Sequence, residues 1–295
     1  MKHPSFLEQN RDITEFSGYR THTIASYFLP LRSEDDLEKL HEVYLFAKEN
    51  NLKFLLIGGG TNLLFAEERF EGIVVKNMLS GFDYNEEKKY LHAYSNESIW
   101  MLAENLEKTY NNPLWHRFIG LPGTIGGAVY GNAGCFGLET ESNFLRTTVY
   151  NMQTGVRKNM NKEEMQFAYR HSIFKENPHL FLIGACFDLS EKQEKYHSDV
   201  DNIDFRENKQ PKGYCCGSFF KNPSKETSAG YLIESVGLKG YHHGGAYWSD
   251  LHANFLMSDG ITCTGKDLIE LMKLTQQKVK EEKGIDLINE VQIIN

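Results

Sequence analysis

Gly58, Gly59 and Gly60, followed by Thr61, Asn62 and Leu63, come directly after the apolar run Lys53–Ile57. Glycine permits positive φ angles and a close approach of backbone to a ligand. Successive unbonded amides in such a turn make a concavity that holds phosphate oxygens. A flexible turn is the plainer alternative. The loop is not the Rossmann fingerprint, because Leu63 stands where its third glycine would be. A second segment, Gly120 to Gly137, holds seven glycines in eighteen residues. Tight packing of irregular chain would explain it alone. Two such segments in one half of the chain point instead to backbone wrapped around an extended dinucleotide cofactor.

Other groups carry chemistry with plainer alternatives beside them. Gly260 to Lys266 fits GxxxxGK, but Asp267 follows where a phosphate-binding loop has Ser or Thr. A strand-to-helix connection capped by Thr264 is the better reading. Arg170, among Tyr169, His171 and Phe174, has the planar fork that grips a carboxylate; a structural Arg is the alternative. Ser218 precedes Phe219 and Phe220 outside any GxSxG elbow, which argues against a hydrolase. Glu290 stands in the apolar run Ile288–Ile294, either at a wet edge or buried for a reason. His171, His242 and His243 lack metal-site spacing, so no metal is expected.

These groups need a scaffold. Helical spacing marks Asp35–Asn50, with Leu37, Leu40, Val43, Phe46 and Ala47 inward. Strands are expected at Lys53–Ile57, Ile73–Val75, Tyr90–Tyr94, Leu145–Asn151 and Phe181–Leu189, with a helix at Ser98–Lys108 and a hairpin turn at Gln153–Gly155. Ser190–Ser198 is polar and reads as a linker. Beyond it come a helix at Val200–Lys209, an extended run at Ser218–Lys221, a helix at Ala229–Val236 and a strand at Asn254–Met257. A long helix at Lys266–Glu282 and a strand at Leu287–Ile294 end the chain. At 295 residues, 40% hydrophobic and 24% charged, this is an ordinary globular chain of two or three domains. A net charge of -8 argues against a nucleic-acid partner. No apolar run nears the ~20 residues that span a bilayer, so no membrane partner is expected. Five cysteines with no CxxC pair, and no signal peptide, suit a cytoplasmic protein with reduced thiols.

The ordered motifs FLLIGGGTNLL, IGLPGTIGGAVYGNAG, FAYRHSIFK, GSFFKNP, AGYLIESVGLKG, HANF and NEVQII resemble the UDP-N-acetylenolpyruvoylglucosamine reductases from about Leu52 to Ile294. Only five residues separate Pro223 from Ala229, as in the shorter subtype of that family. Thr23–Tyr27 replaces the usual Gly-Gly-Pro-like stretch, and Tyr214-Cys215-Cys216 replaces Pro-Ser-Ala.

The resemblance implies an α+β fold. A two-part FAD-binding unit of the vanillyl-alcohol-oxidase-like (PCMH) type covers 1–190, in subdomains of about 1–78 and 79–190. A C-terminal α+β substrate domain covers 191–295. Noncovalent FAD and NADPH are the implied cofactors, and UDP-N-acetylglucosamine enolpyruvate is the implied substrate, reduced to UDP-N-acetylmuramate. Gly58, Gly59, Gly60, Thr61, Asn62, Leu63, Pro122, Gly123, Thr124, Gly126, Gly127, Asn132, Ala133 and Gly134 would line FAD. Arg170 and Glu290 would stabilise charge on the substrate carboxylate, and Ser218 would deliver a proton. Arg206, Lys209, Lys221 and Asn222 match positions near the diphosphate. The rivals are another FAD oxidoreductase on the same scaffold and a non-catalytic flavin or nucleotide-sugar binder. The GSFFKNP and terminal Glu motifs argue against the first, and the retained Arg170, Ser218 and Glu290 against the second.

Overall fold

A computed structural model describes residues 3–190 and 202–295. Most of the expected linker, and the first residues of the helix expected at Val200–Lys209, lie outside the described residues. In chain order the strands are β1 (Glu8–Asp12), β2 (Ile24–Leu31), β3 (Lys53–Ile57), β4 (Leu63–Phe65), β5 (Arg69–Asn77), β6 (Phe82–Asn85) and β7 (Tyr90–Tyr94). Then come β8 (Gly134–Cys135), β9 (Leu138–Glu139), β10 (Phe144–Asn151), β11 (Val156–Asn161), β12 (Leu180–Asp188), β13 (Tyr214–Ser218), β14 (His242–His243), β15 (Ala246–Trp248), β16 (Phe255–Ser258) and β17 (Gln292–Ile294). The helices are α1 (Leu37–Glu49), α2 (Ile99–Tyr110), α3 (Ile125–Gly131), α4 (Asn202–Lys209), α5 (Ala229–Ser235) and α6 (Gly265–Lys283).

The chain forms two compact units, and both are discontinuous. Unit 1 is Met1–Glu8, Tyr27–Gly59 and Gly72–Arg206; unit 2 is Gln9–Ser26, Gly60–Glu71 and Glu207–Asn295. This division differs from a sequential cut at 190/191, since residues 9–26 and 60–71 group with the C-terminal part.

Unit 1 has two cores. In one, α1 turns Leu37, Leu40, Val43, Tyr44 and Ala47 onto Ile73 and Val75 of β5, with Phe46 only half-buried. β3 runs parallel to β5 with Lys53 opposite Gly72 and Ile57 opposite Lys76. The other core lies on a five-stranded antiparallel sheet ordered β11-β10-β12-β7-β6. α2 starts at Ser98, whose hydroxyl accepts from the Met101 amide, and ends at Asn111 in the left-handed region. It packs Leu102, Ala103 and Leu106 with Trp115, Phe118, Ile125 and Val129.

Unit 2 is built around an antiparallel sheet ordered β13-β16-β15-β14. α5 and α6 cover it, burying Leu232, Ile233, Leu268, Leu271, Met272 and Val279 with Phe219, Phe220 and Trp248. Beside it β17 pairs in parallel with β4, Gln292 opposite Leu63.

Three elements depart from expectation. The second glycine segment contains a short helix, α3, capped by the Thr124 hydroxyl on the Gly127 amide. Its two internal glycines lower helix propensity, so only the cap and tertiary packing mark it. The extended run expected at Ser218–Lys221 lies earlier, in β13, because Asn254 takes the next two amides: Phe219 donates to its carbonyl and Phe220 to its Oδ1. The final strand begins at Gln292 rather than Leu287. The Phe219 carbonyl accepts from both Glu290 and Val291, and one carbonyl serving two successive amides breaks the ladder.

Candidate active site

The loop after β3 begins in unit 1 and ends in unit 2. The amides of Gly59, Gly60, Thr61 and Asn62 donate to no acceptor among the described residues. Such open amides suit phosphate oxygens. Two of the glycines also answer to the protein itself. A Cβ on Gly58 would stand 2.8 Å from Thr124 Oγ1, and one on Gly60, at φ +70, would stand 2.0 Å from the Phe16 carbonyl oxygen.

The Gly120–Gly134 segment of unit 1 is more committed. At the front of α3 the Ile125 amide donates to Glu97 and the Gly126 amide to the Ser95 carbonyl. The Asn132 side chain donates to the Ala168 carbonyl at 3.1 Å and accepts from the Glu141 amide. Thr124 is taken as the α3 cap, and Ala133 receives both the amide and the hydroxyl of Thr140. The amides of Gly123 and Thr124 have no acceptor among the described residues. The segment therefore offers shape and a few amides, and the loop after β3 offers the row of open donors. The open amides of the loop after β3 suit phosphate oxygens without needing a charged side chain.

Arg170 stands at the tip of a tight turn in which Ala168 and His171 exchange backbone hydrogen bonds of 3.3 and 3.0 Å. Its φ is +56, an uncommon conformation for a side-chain-bearing residue. Nη2 donates to the Gly134 carbonyl at 3.2 Å, and the guanidinium lies 5.0 Å from the Tyr169 ring centre. Lys175 fixes the turn by donating to the Arg170 carbonyl at 2.6 Å. Arg206, on α4, lies 5.1 Å over the Phe136 ring. Its Cδ would touch a Cβ on Gly120 at 2.7 Å. Unit 1 thus gathers Arg170, Arg206 and the Gly120 and Gly134 ends of the glycine segment.

Unit 2 gathers the rest. Ser218 ends β13 opposite Phe255 and is half-buried. Glu290 donates its amide to Phe219 at 2.8 Å, next along from Ser218. Asn62 holds the same stretch: Nδ2 donates to the Glu290 carbonyl at 3.1 Å, and its carbonyl accepts from Gln292. Lys221 is half-buried and donates its amide to Ile288. Asn222 uses Oδ1 to accept from the Ala229 amide ahead of α5, and Lys209 is exposed. Cys216 is buried, which pushes its thiol up to about 12, as expected of an inert packing residue.

Some important residues escaped the sequence reading. Asn254 holds Phe219 and Phe220 in place; it stood in the HANF motif without an assigned task. Arg117 is buried against the Gly134–Glu139 hairpin; its only signal is a charge inside the aromatic run Trp115–Phe118. The GxxxxGK stretch is a helix start, as read: Thr264 and Asp267 form a reciprocal cap on α6. No histidine, cysteine or carboxylate cluster among the described residues could hold a metal. No described helix is long and apolar enough to cross a membrane.

Comparison with known proteins places this arrangement. A reductase from Protochlamydia amoebophila, UDP-N-acetylenolpyruvoylglucosamine reductase, is 32% identical over 295 residues, covering all of this chain and 96% of that protein. The chain belongs to the UDP-N-acetylenolpyruvoylglucosamine reductase family. The family's C-terminal domain matches residues 209–294, and an FAD binding domain matches 30–158. The reductase of Fervidobacterium nodosum is 34% identical over 260 residues, covering 86% of this chain and 81% of that one. The crystal structure of the Thermus caldophilus reductase superposes with a TM-score of 0.74 at 23% identity, covering 98% and 99% of the two chains. The fold is therefore α+β, with an FAD binding domain followed by the reductase family's own C-terminal domain.

Proposed function

We infer that the chain reduces UDP-N-acetylglucosamine enolpyruvate to UDP-N-acetylmuramate, with NADPH as reductant, in peptidoglycan precursor synthesis. The 32% identity over the whole of this chain to a reductase of that name carries this reading. FAD, when bound, would supply the hydride chemistry, with NADPH as its reductant. The reaction belongs in the cytoplasm, where NADPH and nucleotide sugars are made; the five free thiols suit a reducing compartment.

The open amides of Gly59–Asn62 would hold phosphate oxygens of FAD; Gly58, Leu63, Pro122, Gly123, Thr124, Gly126, Gly127, Asn132, Ala133 and Gly134 would line other parts of the cofactor. Hydride addition at the terminal alkene carbon drives negative charge toward the substrate carboxylate. Arg170 holds both carboxylate oxygens, and its anchor to Gly134 sets the direction of the fork. Glu290 assists Arg170 in stabilising that charge. Ser218 Oγ delivers a proton to the carbon next to the one that received hydride. A free serine is a poor acid, so its placement at the end of β13 must carry the effect. Arg206, Lys209, Lys221 and Asn222 contact the diphosphate of the sugar nucleotide; for Asn222 this means Nδ2, because Oδ1 is already engaged.

Ser218→Ala tests the assignment. Stopped-flow absorbance under anaerobic conditions separates flavin bleaching by NADPH from reoxidation by the enolpyruvyl substrate. Bleaching should run at nearly the native rate, and reoxidation should slow by at least the ~10²-fold typical of lost acid catalysis. Ser218→Cys should recover part of it. Equal slowing of both steps would make Ser218 a structural residue instead.

A further inference from the structure

Arg117 stands on the 3₁₀ turn Pro113–Phe118 of unit 1 with only 6% of its surface exposed. A guanidinium cannot shed its proton in a protein, so a buried one must meet acceptors. Nη1 donates to the Phe136 carbonyl, and the Arg117 carbonyl accepts from Cys135 Sγ at 3.1 Å. Nη1 also lies 3.3 Å from where a Cβ on Gly137 would stand, at φ +84. Arg117 therefore grips the β8–β9 hairpin, Gly134–Glu139, at its turn.

Two further guanidinia use the same hairpin. Arg170 donates to its first carbonyl, Gly134, and Arg206 stacks over the ring at its turn, Phe136. The Cys135 thiol between them registers all three: burial raises it, and Arg206, Arg170 and Arg117 each draw it down. Three like charges around six residues repel one another, so contacts are needed to keep each in place. Arg170 and Arg206 are fixed to the hairpin, and the hairpin is fixed to Arg117.

We infer that Arg117 is a positioning residue: it sets the Gly134–Glu139 hairpin on which Arg170 and Arg206 are mounted, and so governs affinity for the anionic nucleotide-sugar substrate. This rests on the reading of Arg170 and Arg206 given above. Lysine at this position would keep the charge but lose the planar fork. Methionine would fill similar volume with no donor.

The experiment compares Arg117→Lys and Arg117→Met with Arg170→Lys in the FAD-loaded enzyme. Substrate Kd is read by titrating UDP-N-acetylglucosamine enolpyruvate against the spectrum of the oxidised flavin. FAD content, melting temperature and flavin reoxidation are measured alongside. FAD content should stay native. Kd should rise by roughly tenfold in the Met variant, the scale of one charge-assisted hydrogen bond, with the Lys variant between it and native. Reoxidation should slow in the same order. Native Kd and reoxidation in both Arg117 variants, with Arg170→Lys slow, would overturn the positioning role and leave the site reading standing. Native reoxidation in Arg170→Lys would overturn the site reading, and the proposal with it. FAD content that falls in step with affinity would make Arg117 a general scaffold residue and also overturn the proposal. If the Met variant does not fold, the Lys variant decides by the same criteria.

Discussion

Gly58–Leu63 and Gly260–Asp267 both follow an apolar strand, and both carry glycines where the chain turns. They differ in what their amides already hold. In the first, Gly59, Gly60, Thr61 and Asn62 donate to nothing among the described residues. In the second, the protein supplies its own anions. The Asp259 carboxylate accepts from the amides of Ile261, Thr262 and Cys263, each at 2.9 Å. Asp267 accepts from the Thr264 amide at 2.8 Å, and Thr264 Oγ1 accepts in return from the Asp267 amide. A phosphate arriving there would meet two carboxylates and few open donors. The glycine pattern marks a tight turn in both places. Only the state of the amides separates a ligand cradle from a closed connection.

The largest effect should come from closing the first loop. Alanine at Gly60 would be held at φ +70 with its Cβ 2.0 Å from the Phe16 carbonyl. The backbone conformation alone costs about 1–3 kcal/mol for a residue with a side chain, and the overlap forces the loop to move. Gly60→Ala should bind FAD at least tenfold more weakly and melt at a lower temperature, read by flavin absorbance after gel filtration and by thermal unfolding. Full flavin loading with an unchanged melt would show that the loop's amides need not be held as they are.

The same contrast explains what could be read from the sequence. α1 and α6 were visible as apolar stripes at helical spacing, and Thr264 marked the start of α6. The long strands β10 and β12 showed as strand-like runs. α3 was hidden, because Gly126 and Gly127 suppress the propensity that reveals a helix. The end of β13 and the start of β17 were hidden for another reason. Both boundaries are set by single groups distant in sequence, Asn254 and the Phe219 carbonyl. The candidate site residues were assigned by family resemblance, not by periodicity. Arg117 lay outside the motifs quoted for that resemblance, and its importance lies in a hairpin that closes around it.

A smaller effect should appear at the second stretch. Thr264→Ala removes one half of the α6 cap, and loss of such a cap costs about 1 kcal/mol. Denaturant unfolding should report it, with FAD content and turnover unchanged. Lys266, where a phosphate loop would place its lysine, has its side chain largely in solvent near Glu270. Lys266→Ala should alter neither stability nor turnover. A loss of turnover in either variant would reopen the stretch as a ligand site.

The smallest and most diagnostic effect concerns Asp259. The Thr262 hydroxyl, then the Ile261, Cys263 and Thr262 amides, hold this carboxyl well below the ordinary carboxylate range. A carboxylate with a depressed folded pKa stabilises the fold above its unfolded value, ~3.9, and loses that contribution as pH falls through the folded value. Asp259 is exposed, so solvent screening keeps the gain below ~1 kcal/mol. Asp259→Asn cannot ionise, so it lacks this pH-dependent part. The native-minus-variant stability difference, from denaturant melts, should be flat between pH 7 and 5 and shrink below about pH 4. A difference that persists unchanged into that acid range would mean that the amide and hydroxyl bonds act without the charge, so the stretch would not be closed by an internal anion.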